Sequence, residues 1–206
     1  MKKANRFIFI LLSCLIMSAV LFLGYIENMK SDIADNLLRL HIIGADDSEY
    51  AQTLKICVRD RILSDFSDIF SECGSLEESA AKAEEYKTRI ESAAKDELLR
   101  HGCDDSVTAS VEDCRFPTKN YGDVSLPGGV YTALNIRIGR ASGRNWWCVM
   151  YPPLCINNGN AVISEESRSK LKAVLSPDEY RLITSGEQPD IKIKFKIAEV
   201  LGRCFR

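Results

Sequence analysis

The chain contains few histidines and none of the common zinc-binding motifs. Its 206 residues include two histidines, His41 and His101, and neither Cys-x-x-Cys nor His-Glu-x-x-His occurs. A zinc site needs three or four convergent ligands, which such motifs usually supply. The sequence therefore predicts no metal site and no metal cofactor.

Glycine-rich phosphate loops and an excess of basic residues are also missing. The stretch Leu126-Pro127-Gly128-Gly129 precedes a predicted strand instead of opening a helix, so it is interpreted as a turn. With 27 basic and 29 acidic residues the net charge is -2, which gives no attraction for a polyanion. We expect no nucleic-acid partner, no small-molecule substrate and no cofactor.

A long apolar segment is present at the N-terminus. Lys2, Lys3 and Arg6 precede an uncharged apolar run over residues 7–26, and about 20 helical residues span a hydrocarbon core of roughly 30 Å. Basic residues before this run place the N-terminus in the cytoplasm and the rest of the chain outside. No Ala-x-Ala-like site follows, so both a cleaved signal peptide and an uncleaved anchor are open.

Two consecutive helical patterns predict a helical hairpin. Residues 37–43 are short and apolar, which is typical of a buried strand, and from Tyr50 to Phe70 apolar residues recur at helical spacing. Ser75-Leu76-Glu77-Glu78 is a capping box that opens a second helix, which ends at His101-Gly102. Neighbouring helices joined by so short a connection are expected to pair.

The pattern then changes to the two-residue period of half-buried strands. Residues 107–112 and 130–138 alternate between apolar and polar side chains, and a polar turn over residues 139–145 leads to a third strand at 146–151. We expect these three strands to form an antiparallel meander. Helix signals return at Ser164 and Ser176, and residues 191–204 are predicted as a strand that merges into a helix.

These patterns predict an α+β fold. A largely antiparallel sheet packs against the helical hairpin and C-terminal helices, after one N-terminal membrane or signal helix. The chain is 46% hydrophobic and long enough for one core. We expect a signal peptide or anchor over residues 1–26, a juxtamembrane link over 27–36, and a single exported globular domain over 37–206.

Eight cysteines in an exported chain suggest disulfides. Cys14 lies in the apolar segment, so an odd number of cysteines remains in the exported part and they cannot all pair within one chain. Cys148 has three open interpretations. It could act as a nucleophile with His41, although Trp146 and Trp147 precede it in a strand pattern where no helix N-terminus lowers the thiol pKa. It could be a buried thiol, or it could pair with Cys155 across a turn at Pro152, within the reach of a disulfide.

The aromatic stretch around Cys148 is a candidate partner-binding surface. Adjacent strand residues point to opposite faces, so one of the two tryptophans must be covered by another element or left for a partner. Exposed tryptophans are frequent interface anchors. The nominated residues are Trp146 and Trp147 as anchors, Tyr151, Pro152 and Pro153 as a rigid loop, and Arg39 and His41 as polar neighbours.

Five sequence blocks stand in the same order as in a known family. They are residues 38–48 (LRLHIIGADDS), 54–60 (LKICVRD), 121–122 (YG), 126–131 (LPGGVY) and 143–155 (GRNWWCVMYPPLC). Together they closely resemble the stage II sporulation protein R family of endospore-forming bacteria, over the whole exported domain. The first and last blocks are highly specific, whereas residues 27–36 and the segment from Gly186 onward match less distinctively.

The resemblance implies a signalling protein. Members of that family are made in the forespore, exported into the space between the forespore and mother-cell membranes, and activate a membrane-embedded aspartic protease. That protease removes the pro-sequence of the mother-cell sigma factor E. No catalytic residue is carried over from the family. Two other classes remain open: an exported thiol-dependent hydrolase acting at the cell wall, and a purely structural membrane-anchored module.

Replacing the sulfur of Cys148 distinguishes a docking protein from a thiol-dependent hydrolase. Cys148→Ser should remove all function if the thiol is a nucleophile, whereas a docking protein should keep its function unless the loop loses stability. Sporulation efficiency of the variant, with its protein level as the control, measures the difference. Complete loss of function in a variant that is made and folded normally would contradict the docking interpretation.

Overall fold

The computed structural model describes residues 2–154 and 163–184. The helices are α1 Lys2–Ala34, α2 Glu49–Ser71, α3 Leu76–Arg100, α4 Glu165–Val174 and α5 Pro177–Thr184. The strands are β1 Leu38–Ile43, β2 Val107–Phe116, β3 Lys119–Tyr121, β4 Val124–Leu126, β5 Gly129–Ile138 and β6 Asn145–Tyr151. The segment 191–204, predicted as a strand and helix, and Cys155 lie outside the described residues.

Helix α1 carries the apolar N-terminal segment and continues beyond it. The part Arg6–Ala34 is long and apolar enough to cross a membrane, and a signal sequence has the same properties. Residues 27–36, predicted as a link, are helical as far as Ala34. Ile26, Met29 and Ile33 are buried. The last turns of α1 therefore join the apolar segment to the folded domain.

The main sheet has the strand order β2-β5-β1-β6, and β3 pairs with β4 in a separate hairpin. Strand β1 runs parallel to β5 and antiparallel to β6, while β2 and β5 are antiparallel. The α+β class and the largely antiparallel sheet are confirmed. The predicted meander is wrong, because β1 lies between β5 and β6. A strand with almost no exposed residue belongs in the interior of a sheet.

One face of the sheet packs against the predicted helical hairpin, which is confirmed. Leu38, Leu40 and Ile42 of β1 point to this face and meet the apolar stripes of α2 and α3. We call this core cluster 1. Both helices have a serine cap: the Ser48 hydroxyl accepts from the Ala51 N–H at 3.2 Å, and at the predicted capping box the Ser75 hydroxyl accepts from the Glu78 N–H at 3.2 Å. Local sequence thus places both helices.

The opposite face of the sheet is covered at one end by a second core. Phe116, Tyr131, Ala133 and Val149 project from the sheet into this core. It is completed by residues of the α1 end, the β3–β4 hairpin and the C-terminal helices: Ile33, Ala34, Leu37, Val124, Leu126, Leu154, Ile163, Leu171, Leu175 and Ile183. We call it cluster 2. The predicted packing of C-terminal helices is therefore observed for α4 and α5.

The loop after β5 fits closely over the turn between β1 and α2. The Gly143 N–H donates to the Gly44 carbonyl at 3.0 Å, and a side chain at Gly143 would place its Cβ 2.2 Å from the Asp46 carbonyl oxygen. The Asp47 carboxylate accepts from the Arg144 N–H at 2.7 Å. Because of this close approach, only glycine fits at position 143. Two of the five sequence blocks therefore meet at this point.

Arg39 lies fully buried in the central strand, on the cluster 2 side. Its Nε donates to the Cys148 carbonyl at 2.8 Å, and its Nη2 donates to the Tyr121 hydroxyl at 2.9 Å. The guanidinium lies 4.3 Å from the ring centre of Phe116 and 4.8 Å from that of Tyr131. These contacts connect β1 to β2, β3, β5 and β6 through one side chain.

Within residues 2–154 and 163–184, aromatic rings and no carboxylate surround the Arg39 guanidinium. Its pKa is lowered because burial desolvates the cation, and the nearby Tyr121 and Tyr131 offset part of this effect. Burial likewise raises the pKa of Tyr131 to about 12. The cation is therefore held by ring faces and two neutral acceptors, an arrangement that depends on the planar guanidinium.

Two substitutions test this dependence on shape. Arg39→Lys keeps the buried charge but loses the Nε hydrogen bond and the stacking, so we expect the free energy of unfolding to fall by about 2–4 kcal/mol. Arg39→Met removes the desolvated charge and keeps most of the volume, and should cost less. Urea unfolding of the full chain in detergent, followed by tryptophan fluorescence, measures both. A lysine variant as stable as the original would contradict this account.

Candidate functional site

The alternation of β6 places the two tryptophans on opposite faces of the sheet. Trp146 packs against cluster 1, where the Arg59 guanidinium of α2 lies 4.4 Å from its ring centre. Trp147 lies on the other face and stacks on His41, with ring centres 3.9 Å apart. Its ring also meets Phe116 edge to face at 4.6 Å. Helix α2 therefore covers Trp146, while Trp147 belongs to a different surface.

Trp147 stands at one end of a row of polar side chains that crosses the sheet. The row follows the register of the strands, with Ser110 opposite Asn135, Asn135 opposite His41, and His41 opposite Trp147. Together with three polar neighbours it forms what we call the polar strip. The strip consists of Ser110, Glu112, Asn135, Arg137, His41, Asn145 and Trp147.

Hydrogen bonds connect the polar strip across all four strands of the main sheet. Arg137 donates to the Ser110 hydroxyl at 3.0 Å and forms an ion pair with Glu112. The Asn135 amide donates to Glu112 at 3.2 Å, which turns its oxygen toward His41. The side chains of Arg137 and Glu112 are 38% and 42% exposed. The strip thus offers both charges, the Asn145 amide and part of one indole to the solvent, while Asn135 is buried within it.

His41 sits at the centre of the polar strip. Its Nδ1 lies 2.6 Å from the Asn135 side-chain oxygen, and its Nε2 lies 2.9 Å from that of Asn145. The pKa of His41 is lowered because burial desolvates the imidazolium, and the hydrogen bonds to Asn145 and Asn135 offset part of this effect. The imidazole is therefore held in place by two amides, and no carboxylate of a described residue contacts either ring nitrogen.

The other nominated residues have little surface to offer a partner. Tyr151 is 3% exposed and packs into cluster 1. Pro152 is buried and Pro153 half-buried, in a turn where the Leu154 N–H donates to the Val149 carbonyl at 3.3 Å. Arg39 lies in the core beneath the strip. Their roles in partner binding stay predictions. Among the nominated residues direct contact is best supported for Trp147, which is half-buried, whereas His41 is buried beside it.

Cys148 and His41 do not form a catalytic pair. Cys148 is 3% exposed and points into cluster 1, whereas His41 lies on the opposite face of the sheet. Cys148 is disulfide-bonded, and a bridged sulfur cannot act as a thiolate nucleophile. Cys155 lies outside the described residues, so its pairing with Cys148 stays a prediction.

Five members of the polar strip were not nominated from the sequence: Ser110, Glu112, Asn135, Arg137 and Asn145. The alternation of apolar and polar residues in β5 indicates that Asn135 and Arg137 lie on the same face of this strand. Their alignment with His41 depends on the parallel pairing of β1 with β5. The local sequence pattern does not indicate this long-range strand pairing.

The lowered pKa of His41 predicts a pH-dependent part of the stability. The unfolded chain, with an ordinary histidine pKa of about 6.5, binds the proton more readily than the folded chain. His41 therefore contributes stability above that pH, and this contribution is lost as the pH falls through the lower folded pKa. We expect the free energy of unfolding of His41→Gln to fall less than that of the original chain between about pH 7.5 and 5.5.

Urea unfolding at a series of pH values measures this difference. Ser110→Ala, which changes a non-titrating residue of the polar strip, is the matched control and should retain the pH dependence of the original protein. Identical pH profiles for His41→Gln and the original chain would contradict the proposed environment of His41.

Comparison with known proteins identifies one family whose matched region contains the polar strip. The family model described as stage II sporulation protein R matches residues 34–161, which include every residue of the strip. Stage II sporulation protein R of Bacillus subtilis (strain 168) is 34% identical over 149 residues, which cover 71% of this chain and 66% of that protein. No solved structure shows a significant match. The chain therefore belongs to the stage II sporulation protein R family and has a role in sporulation.

Proposed function

We propose that this protein is an exported signal that activates a membrane-embedded aspartic protease, which processes the pro-form of the mother-cell sigma factor E. The protein acts by docking and not by breaking covalent bonds. Its site of action is the space between the forespore and mother-cell membranes. Family membership supports the sporulation context, and the apolar helix α1 supports export or anchoring.

The polar strip is the observation that carries the docking proposal. It combines an indole, a histidine and an ion pair on a sheet whose backbone positions are fixed by pairing on both sides of β1 and β5. Rigid aromatic anchors surrounded by polar groups are typical of protein interfaces. An extracytoplasmic segment of the protease that carries complementary charges and one apolar pocket would fit this surface.

The position of α1 supports docking close to a membrane. Its last turn packs into cluster 2 through Ile33 and Ala34, and the apolar segment precedes this turn without a break in the helix. If α1 is not cleaved, the domain is held at the membrane surface. There its effective concentration toward a membrane-embedded partner is higher than for a diffusing protein.

Activation requires that the protein bind the active arrangement of the protease better than the inactive one, since a ligand shifts an equilibrium only by its differential affinity. A difference of about 3 kcal/mol raises a small active fraction more than a hundredfold. Burial of the exposed part of Trp147, together with one ion pair, is of sufficient size to supply this difference.

A charge exchange tests the polar strip without removing its internal ion pair. The double variant Glu112→Arg with Arg137→Glu keeps opposite charges side by side but reverses their order on the surface. We expect it to lower sigma-factor processing at least about tenfold, and Trp147→Ala to do the same. The chain, the protease and the pro-sigma factor are co-produced in a non-sporulating host, and the cleaved product is quantified.

The matched control exchanges an exposed ion pair on helix α3, Lys82→Glu with Glu85→Lys, whose side chains are 38% and 59% exposed. With this control variant, the amount of cleaved sigma factor should be within about twofold of that with the original chain, because surface ion pairs contribute little to stability. Failure of the original chain to stimulate processing would contradict protease activation. Full activity of both strip variants would contradict the strip as the docking surface.

A further inference from the structure

We propose that Cys57, Glu97 and His101 form a zinc site that joins the two helices of the hairpin. Cys57 lies on α2, Glu97 lies on α3, and His101 is the C-cap residue of α3. One ligand atom from each residue, the sulfur, a carboxylate oxygen and a ring nitrogen, lies within 4.8 Å of the other two. The sequence predicted no metal site, because these ligands come from two helices and follow no short motif.

The spacing along α3 explains how two of the ligands converge. Glu97 and His101 are four residues apart, so they lie on the same side of the helix, and the His101 Nε2 is 3.2 Å from the Glu97 Oε1. The second carboxylate oxygen of Glu97 accepts from Arg100 at 3.3 Å. This contact holds the carboxylate while leaving Oε1 directed toward His101 and Cys57.

Hydrogen bonds also fix the helix ends that carry the site. The Tyr50 hydroxyl, in the first turn of α2, donates to the His101 carbonyl at 3.0 Å. The Gly102 and Cys103 N–H groups donate to the carbonyls of Leu99 and Leu98, and Gly102 has a positive φ of 74°. The backbone of His101 is thereby held against α2, and only short side-chain movements are needed to bring the three ligand atoms to zinc-binding distances.

The ligand types and their charges select the metal. Thiolate, imidazole and carboxylate together suit zinc, whereas magnesium and calcium prefer oxygen ligands. One thiolate and one carboxylate balance the two positive charges of the ion. Three protein ligands leave the fourth position to water.

Cobalt(II) reports on such a site because a thiolate ligand gives a charge-transfer absorption that zinc does not. The full chain, purified anaerobically in detergent and freed of metal, is titrated with cobalt(II) and then with zinc. We expect one cobalt per chain, a thiolate charge-transfer band, and loss of both on addition of zinc. Cys57→Ser should abolish the band, and Glu97→Gln and His101→Ala should each weaken binding at least about tenfold.

Two control variants decide whether other cysteines or histidines bind the metal. Cys73→Ser changes a buried free thiol beyond the far end of α2, and His41→Gln changes the histidine of the polar strip; both should bind cobalt like the original chain. No charge-transfer band in the original chain, or a band that survives Cys57→Ser, would overturn the proposal. Circular dichroism measures whether each variant is folded. If Cys57→Ser does not fold, the weaker cobalt binding expected for Glu97→Gln tests the site instead.

Discussion

The structure depends on how strand β1 is held in the middle of the main sheet. Its side chains divide between the two cores, with Leu38, Leu40 and Ile42 in cluster 1 and Arg39 on the cluster 2 side. Arg39 is buried, has no carboxylate partner in the part of the chain that the structure describes, and connects β1 to four other strands through two hydrogen bonds and aromatic ring faces. Phe116, which packs on the guanidinium, also contacts Trp147 and His41. The buried cation and the exposed strip are therefore parts of one packed unit.

This arrangement separates structural from functional roles among aromatic residues that are adjacent in sequence. Trp146 packs against the helical hairpin beneath Arg59, and Tyr151 packs into the same core. Trp147 instead stands at the end of the polar strip, where a partner can reach it. The strip is rigid because its side chains are hydrogen-bonded to one another across four strands. Such preorganisation lowers the entropy cost of binding, which suits the proposed stabilisation of one arrangement of the protease.

Much of the fold could be predicted from local sequence signals. Ser75 caps α3 as its capping box indicates, and the alternation in β2 and β5 is observed. The position of β1 between β5 and β6 could not be predicted, since it depends on contacts between residues about a hundred positions apart, such as His41 with Asn135 and Asn145. The alternation of β6 correctly placed the tryptophans on opposite faces, but only the structure shows which face a helix covers. The convergence of Cys57 with His101 likewise requires the paired helices.

The central claim is that the polar strip is the surface that meets the protease. Site-specific photo-crosslinking tests it most directly: a photoreactive phenylalanine analogue replaces either Arg137 on the strip or Tyr50 on the helical hairpin, both of which have exposed surface. Each variant is co-produced with the protease and irradiated in intact cells. The account predicts a crosslink to the protease from position 137 and none from position 50. A crosslink from position 50 alone, or none from either position in cells where processing is active, would contradict it.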